Sequence, residues 1–157
     1  MYFDLDGRAG SIRMLLGHGN ITYNDSRLSS EEFGKMKKSG GLPLGSMPVW
    51  KEDGFTMCQN NAILRMLGVR HGYYSDDPMT CWRIDSLVDF LEDKMKDHFI
   101  VYAPMLGGGP LAEDKAGDWF AKFWDTVIPV CEARLVEHGK KFLGGTDRPT
   151  IADFKAF

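Results

Sequence analysis

The sequence has little of what several classes of protein require. Its longest apolar run, Phe99 to Leu106, is interrupted by Tyr102 and Pro104 and is far too short to cross a bilayer. No charged-then-apolar signal segment opens it. Lys and Arg number 19 against 22 Asp and Glu, a formal net charge of −3, so the broad basic surface that nucleic acid requires is missing. We therefore expect no membrane span, no nucleic-acid partner and a cytoplasmic location.

Cysteine is also scarce. The three residues, Cys58, Cys81 and Cys131, form an odd number without CxxC or ligand-like spacing. This pattern favours reduced thiols that pack in the core over disulfides or a zinc site. We predict no metal site from it.

The first half of the chain alternates short elements in an α/β rhythm. A strand end is predicted at Tyr2 to Leu5, then a helix with an apolar face, then a strand at Ile21 to Arg27. Further on, the strand Pro48 to Glu52 and the strand Phe55 to Cys58 flank Asp53-Gly54, a pair typical of a tight hairpin turn. A helix capped by Asn60 follows, with its inner face at Ala62, Ile63, Met66 and Leu67.

The second half is helical in pattern. One apolar stripe is formed by Ile84, Leu87, Val88, Leu91 and Met95, and a second, wider one by Ala116, Trp119, Phe120, Phe123, Trp124, Val127, Ile128 and Cys131. Pro129 lies inside the second pattern and predicts a kink, not an end. Thr150 and Asp153 form a capping-box variant at the start of a last helix.

These halves predict two separate cores. We expect residues 72 to 80 to cross between them. The first core is predicted to contain Phe3, Ile12, Leu15, Val49, Ile63 and Leu67, and the second Leu87, Leu91, Phe120, Phe123, Trp124 and Val127.

Five short motifs in register carry a resemblance to a known family. They are Tyr2-Phe3 with Gly7-Arg8-Ala9, then Gly45 to Val49, Gln59 to Arg65, Val88 to Asp93, and Thr150 to Phe154. In this order they resemble the cytosolic glutathione transferases, closest to the sigma type. The resemblance implies a thioredoxin-like glutathione-binding domain at 1–72, a linker at 73–80, and an incomplete helical-bundle domain at 81–157.

The resemblance also implies a chemistry. The glutathione thiolate is the nucleophile, and a thiol with an ordinary pKa of about 8.5 is mostly protonated at neutral pH. Tyr2 would be the hydroxyl that hydrogen-bonds the glutathione sulfur. Arg8 would either contribute a nearby positive charge or anchor the loop. The helix that begins near Gly7 would add its N-terminal dipole.

The same resemblance assigns residues that hold glutathione. Met47 would pair its backbone with the cysteinyl part, next to a cis bond at Pro48. Gln59 and Asn60 would hold the γ-glutamyl carboxylate, with Asn60 standing where the family usually has serine.

Three further residues complete the predicted glutathione site. Phe33 and Lys37 would contact the glycyl end, where Lys37 can pair with its carboxylate. Asp93 would reach the amino group of glutathione across a dimer interface.

An acidic stripe on the first long helix has two interpretations. Asp85, Asp89, Glu92 and Asp93 share one arc of the helix, so like charges meet there. The resemblance suggests a divalent-ion site at the last three, as some sigma members have. The alternative, which we favour, is a solvated acidic face relieved by Lys96.

Two functions remain open from the sequence. The first is a glutathione transferase, a homodimer or a subunit of a larger assembly, that acts on a small hydrophobic electrophile. The second is a non-catalytic structural subunit, as the departures at Phe33, Ser46 and Asn60 would allow. We also expect the chain to be a fragment of a longer protein, because the family has a strand before Tyr2 and more helices after Phe154; a degenerate relative is the alternative. On that expectation Ile151, Phe154 and Phe157 would lack helices to bury them.

Overall fold

The computed structural model describes the backbone of residues 1–106 and 113–157, and the side chains of residues 1–96, 117, 118 and 120–157. This part of the chain divides into two compact units that meet in sequence between Tyr74 and Ser75. Within the described residues, no helix combines the length and apolarity that a membrane crossing needs.

The first unit is built from short strands and three helices. In chain order they are β1 (Tyr2–Phe3), α1 (Gly10–His18), β2 (Arg27–Leu28), α2 (Ser30–Lys38), β3 (Val49–Glu52), β4 (Phe55–Cys58) and α3 (Asn60–His71). β1 pairs with β2 in parallel, and β3 pairs with β4 antiparallel. The Val49 N–H donates a 3.0 Å hydrogen bond to the Met1 carbonyl oxygen, so β3 begins beside the start of β1.

The β3–β4 hairpin forms as predicted. Asp53 and Gly54 have φ angles of 48° and 81°, and two positive φ angles are what a two-residue hairpin turn requires. α1 packs against α3. Their buried side chains are Ile12, Leu15, Leu16, Ile63, Leu64 and Leu67. Val49 of β3 is buried in a cluster with Tyr2 and Met47, and the half-buried Phe3 packs against that cluster.

Two predicted strands of the first unit are much shorter than expected. Only Arg27–Leu28 of the second is extended and paired, because β1 offers just Tyr2 and Phe3 as partners. A strand exists only where a neighbour supplies its hydrogen bonds. The alternating pattern from Ile21 onward therefore did not predict a strand correctly.

α2 was not predicted, although the sequence contains its start signal. Ser29 and Glu32 form a capping box, in which the Ser29 hydroxyl accepts from the Glu32 N–H and the Glu32 carboxylate accepts from the Ser29 N–H. This reciprocal pair satisfies two amides at the helix start. The Ser-x-x-Glu spacing was the missed signal.

The start and the inner face of α3 also differ from prediction. Gln59, not Asn60, occupies the cap position, and Asn60 is the first helical residue. The buried face is formed by Ile63, Leu64, Leu67 and Gly68. Ala62 is exposed instead, because the face that meets α1 lies about one residue further along the helix than predicted.

The second unit contains α4 (Pro78–Leu106), α5 (Glu113–His138) and α6 (Ile151–Ala156), with α4 packed against both others. α4 begins within the span 73–80 that was predicted as a linker. Ile84, Leu87, Val88 and Leu91 are all buried, as the apolar stripe predicted. All three cysteines of the chain are half-buried and free.

α5 departs from its predicted burial. The helix continues through Pro129, and Val127 is buried, but Phe120 is 41% and Trp124 45% exposed. The predicted burial of Phe120 and Trp124 is therefore wrong. The apolar stripe of α5 is wider than the part of the helix surface that packs against α4. The side chains of Ala116 and Trp119 lie outside the described residues.

α6 begins at the predicted capping box. The Asp153 carboxylate accepts hydrogen bonds from the Thr150 N–H at 2.7 Å and from the Leu143 N–H at 2.9 Å. Ile151 and Phe154 are 0% and 7% exposed. The expectation that these two side chains stay unburied is therefore wrong, because α6 packs against α4.

Candidate functional site

The segment from Tyr2 to Arg8 brings two predicted catalytic residues together. Tyr2 is only 4% exposed, and its phenolic oxygen accepts a 3.1 Å hydrogen bond from the Arg8 backbone N–H. The contact uses the backbone of Arg8, whose side chain is half-buried. A short 3-10 turn at Gly7–Ala9 leads directly into α1, so a helical start does lie beside the Tyr2 hydroxyl.

Gly7 has a close contact that explains why no larger residue stands there. Its φ is +36°, a conformation that side chains rarely adopt, and an added Cβ would lie 2.9 Å from the Tyr2 hydroxyl. The turn can pass this close to the phenol only with glycine at this position. The tight turn therefore helps to set where the hydroxyl lies.

Aromatic rings connect Tyr2 to the predicted binding residues of α2. The Phe3 ring contacts Tyr2 edge-to-face at 5.5 Å between centroids and Phe33 at 5.1 Å. The Lys37 ammonium lies 5.8 Å from the Phe33 ring centroid, while Lys37 itself is exposed. Edge-to-face pairs of this kind stabilise packing beyond area burial, so they fix α2 relative to β1.

The Met47-Pro48 peptide bond is cis, as predicted. Met47 is 8% exposed and belongs to the same buried cluster as Tyr2 and Val49. The cis bond leads straight into β3. The backbone of Met47 is therefore held by a packed side chain on one side and a strand on the other.

Gln59 has an unusual backbone conformation just before α3. Its φ is 71°, a value that costs free energy for any residue other than glycine. Strained residues of this kind concentrate at binding sites, where the surrounding structure holds them. Gln59 is exposed and Asn60 is 5% exposed, so the two neighbours present different environments at the N-terminus of α3.

Asp93 lies in the other unit, on α4. It is exposed and forms an ion pair with Lys96. The hydrogen bond and charge of Lys96 lower the pKa of the Asp93 carboxyl group. Lys96 was predicted to relieve the acidic stripe, and it pairs with Asp93 of that stripe, while Glu92 forms an ion pair with Lys155. Within the described residues, no group of three His, Cys, Asp or Glu side chains is placed to hold a metal ion.

Sequence reasoning missed two residues next to Tyr2. Arg13 of α1 hydrogen-bonds the Asp25 carboxylate, and its guanidinium carbon lies 6.0 Å from the centroid of the Tyr2 ring. A signal was present, because Arg13 interrupts the apolar run from Ile12 to Leu16. A charged residue among buried neighbours requires a partner.

A scan against models of known protein families finds no match. Individual proteins do match. Glutathione S-transferase A4 of Mus musculus is 33% identical over 146 residues, which cover 92% of this chain and 64% of the relative. S-crystallin 3 of Enteroctopus dofleini is 30% identical and is covered over 76% of its length, with 99% of this chain matched. The chain thus spans less than two thirds of the mouse relative.

Solved structures resemble the whole described fold. The monomeric glutathione S-transferase Na-GST-3 of the hookworm Necator americanus superposes with a TM-score of 0.82 at 29% identity, covering 98% of this chain and 74% of that structure. Such agreement supports both halves of the predicted architecture, a thioredoxin-like part followed by helices. The extended likeness to S-crystallin 3 and the shared fold show that this chain belongs to the cytosolic glutathione S-transferase family and is sigma-like.

Proposed function

We propose that the protein binds glutathione and stabilises its thiolate for addition to, or isomerisation of, a small hydrophobic electrophile. The observation that carries this proposal is the buried Tyr2 hydroxyl, which accepts from the Arg8 N–H at 3.1 Å beside the turn that opens α1. A hydroxyl that accepts a hydrogen bond becomes a stronger donor through its own proton. It is therefore suited to donate to a thiolate.

The required effect is modest in size. Lowering the glutathione thiol pKa by about two units needs roughly 2.7 kcal/mol of differential stabilisation. A hydrogen bond from Tyr2 to a charged sulfur contributes about 1.5 to 3 kcal/mol. The N-terminal dipole at the Gly7–Ala9 turn adds a smaller favourable contribution to a nearby negative charge. Together these two contributions are of the required size.

In this proposal, the remaining residues each bind a different part of glutathione. The backbone of Met47, beside the cis bond to Pro48, pairs with the cysteinyl part. Gln59 and Asn60 hold the γ-glutamyl carboxylate at the N-terminus of α3, where the positive end of the helix dipole favours anions.

The two ends of glutathione take the other predicted residues. Lys37 pairs with the glycyl carboxylate next to the Phe33 ring. Asp93 of a second copy reaches the amino group, which makes a homodimer part of this proposal.

A structural subunit without activity is the second candidate. It is favoured by the 30% identity to S-crystallin 3, a relative that does not carry the transferase name. The buried Asn60, in place of the family's usual serine, also changes the surroundings of the predicted carboxylate site. On this second hypothesis, the protein has the fold of the family but no transferase activity.

Binding and turnover separate the two functions. Titration calorimetry with glutathione measures binding, and conjugation of glutathione to a generic aryl halide measures activity. The enzyme proposal expects both. Binding without conjugation would contradict the proposed role of Tyr2, and the absence of both would favour the structural subunit.

A further inference from the structure

Arg13 directs its donors to the segment that carries Tyr2. Its Nη2 donates to the Phe3 carbonyl oxygen at 3.3 Å, and its Nη1 donates to the Leu5 carbonyl oxygen. The Arg13 side chain is 10% exposed, and the bond to Phe3 is partly buried, whereas the bond to Leu5 lies at the surface. Hydrogen bonds from a charged donor are about twice as strong as neutral ones. Arg13 therefore fixes the backbone on the C-terminal side of Tyr2.

Asp25 orients the guanidinium of Arg13. Its carboxylate accepts from Arg13 Nε and Nη2, both at 3.2 Å, and from Arg27 Nε at 2.9 Å. Partial burial alone would raise the pKa of Asp25, but the hydrogen bonds and charges of Arg13 and Arg27 together lower it. Asp6 lies 3.5 Å from Arg13, and Asp4 pairs with Arg27. The carboxylate of Asp25 therefore stays charged at neutral pH.

The Tyr2 to Arg8 segment is consequently held along its length. The first and last residues of the segment are joined directly, because the Tyr2 phenol accepts a hydrogen bond from the Arg8 N–H. Between them, two carbonyl groups are bound by one planar guanidinium, which also lies 6.0 Å from the Tyr2 ring centroid. The donors of a guanidinium form a rigid, planar fork. The orientation of the Arg13 guanidinium therefore fixes the positions of all the groups that it binds.

We propose that Arg13 and Asp25 form a positioning pair that sets where the Tyr2 hydroxyl lies, and so sets the rate of thiolate chemistry, without contacting glutathione. This inference rests on the proposed function. A second ion pair in the same unit provides the contrast. Arg70 pairs with Glu52 at 2.6 Å, and Glu52 also accepts from the Trp50 indole N–H. Those contacts involve side chains only and do not include the Tyr2 segment.

The test uses the whole chain with three variants. Asp25→Asn keeps the shape and removes the charge that orients Arg13, and Arg13→Lys keeps the charge and loses the fork. Glu52→Gln is the matched control. For each, calorimetry gives the glutathione dissociation constant, conjugation of an aryl halide at saturating glutathione gives kcat, and nuclear magnetic resonance gives the hydrogen exchange rate of the Arg8 amide.

The expected result is selective. Asp25→Asn lowers kcat about tenfold and speeds Arg8 amide exchange about tenfold, while the glutathione dissociation constant stays within about twofold. Arg13→Lys lowers kcat by at least as much, because a single ammonium cannot bind the Phe3 and Leu5 carbonyl groups and the Asp25 carboxylate as the planar fork does. Glu52→Gln changes none of the three quantities.

Several results would overturn the positioning role. Unchanged Arg8 exchange in Asp25→Asn is one, and losses of kcat and binding in parallel with the folded fraction are another. If Asp25→Asn does not fold by circular dichroism, Arg13→Lys carries the same comparison. If the wild-type protein neither binds nor conjugates glutathione, the proposed function fails, and the Arg8 exchange rate still decides whether the pair positions Tyr2.

Discussion

The backbone N–H of Arg8 donates a 3.1 Å hydrogen bond to the phenolic oxygen of Tyr2. This bond links the turn at Gly7–Ala9 to Tyr2, which is only 4% exposed. A phenol can accept and donate at the same time. The bond therefore orients the Tyr2 hydroxyl without using the proton that the proposed chemistry needs.

Tyr2→Phe tests that hydroxyl directly. The ring remains, so packing and the glutathione dissociation constant should stay close to wild type. We expect conjugation of an aryl halide to fall roughly tenfold to a hundredfold, and its pH profile to move upward, because a bond to the thiolate worth about 1.5 to 3 kcal/mol is lost. Tyr23→Phe, a half-buried tyrosine of the same unit, is the control. Equal rates in the two variants would remove Tyr2 from the mechanism.

Gly7→Ala tests the close turn beside the phenol. A Cβ at this position would lie 2.7 Å from Leu5 Cδ1 and 2.9 Å from the Tyr2 hydroxyl, at a φ of +36°. We expect a loss of about 1 kcal/mol or more in the free energy of unfolding, together with a lower conjugation rate.

Gly17→Ala is the matched control for that substitution. Gly17 lies in α1, and among the described residues no atom approaches its added Cβ within 4 Å. Alanine there should stabilise the protein by about 0.5 to 1 kcal/mol, since glycine weakens a helix. Urea unfolding measures both variants. A stabilised Gly7→Ala would show that the turn tolerates a side chain.

The charge of Asp25 predicts a pH-dependent stability. Its pKa is lowered from 3.8 in the folded protein by Arg13 and Arg27, against the opposing effect of burial. A lowered carboxyl pKa stabilises the fold above the unfolded value, and this stabilisation disappears as the pH falls through the folded value. The difference in free energy of unfolding between wild type and Asp25→Asn should therefore stay constant from neutral pH to about pH 5 and shrink as the pH falls further.

Urea unfolding across that pH range measures the difference. Asp118→Asn, at an exposed position of α5, is the control for the effect of the substitution itself. A difference for Asp25→Asn that stays constant down to acid pH would contradict an ionised Asp25 in the folded state.

A buried ion pair should matter for the stability of the second unit. Lys155 Nζ lies 2.7 Å from Glu92 Oε2, and the two side chains are 7% and 17% exposed. Glu92→Leu leaves the ammonium without this carboxylate, and we expect a loss of about 3 kcal/mol in the free energy of unfolding. Adding Lys155→Met should recover most of it, because the uncompensated charge is then gone.

The exposed pair Lys140–Asp147 is the control for this experiment. Lys140→Met should change the free energy of unfolding by less than about 1 kcal/mol, as surface ion pairs do. If Glu92→Leu lowers the free energy of unfolding no more than Lys140→Met does, the burial of the Glu92–Lys155 pair does not add to the stability of the fold.

The sequence by itself determined the features that arise between near neighbours. The apolar stripe of α4 follows from the 3.6-residue helix period. The Asp53-Gly54 turn and the Thr150–Asp153 cap follow from conformations and hydrogen bonds that span two to four residues. The Ser29–Glu32 cap of α2 was equally readable and was overlooked.

Only the tertiary structure decided which of these surfaces and charges meet. Tyr2 and Arg8 belong to one short segment, but the contact of Arg13 with Asp25 joins α1 to the loop before β2 and depends on the fold. The exposure of Phe120 and the burial of Ile151 likewise depend on which helices lie against α4. Periodicity gives each element an apolar face, whereas burial and ion pairing depend on the partner that the fold supplies to that face.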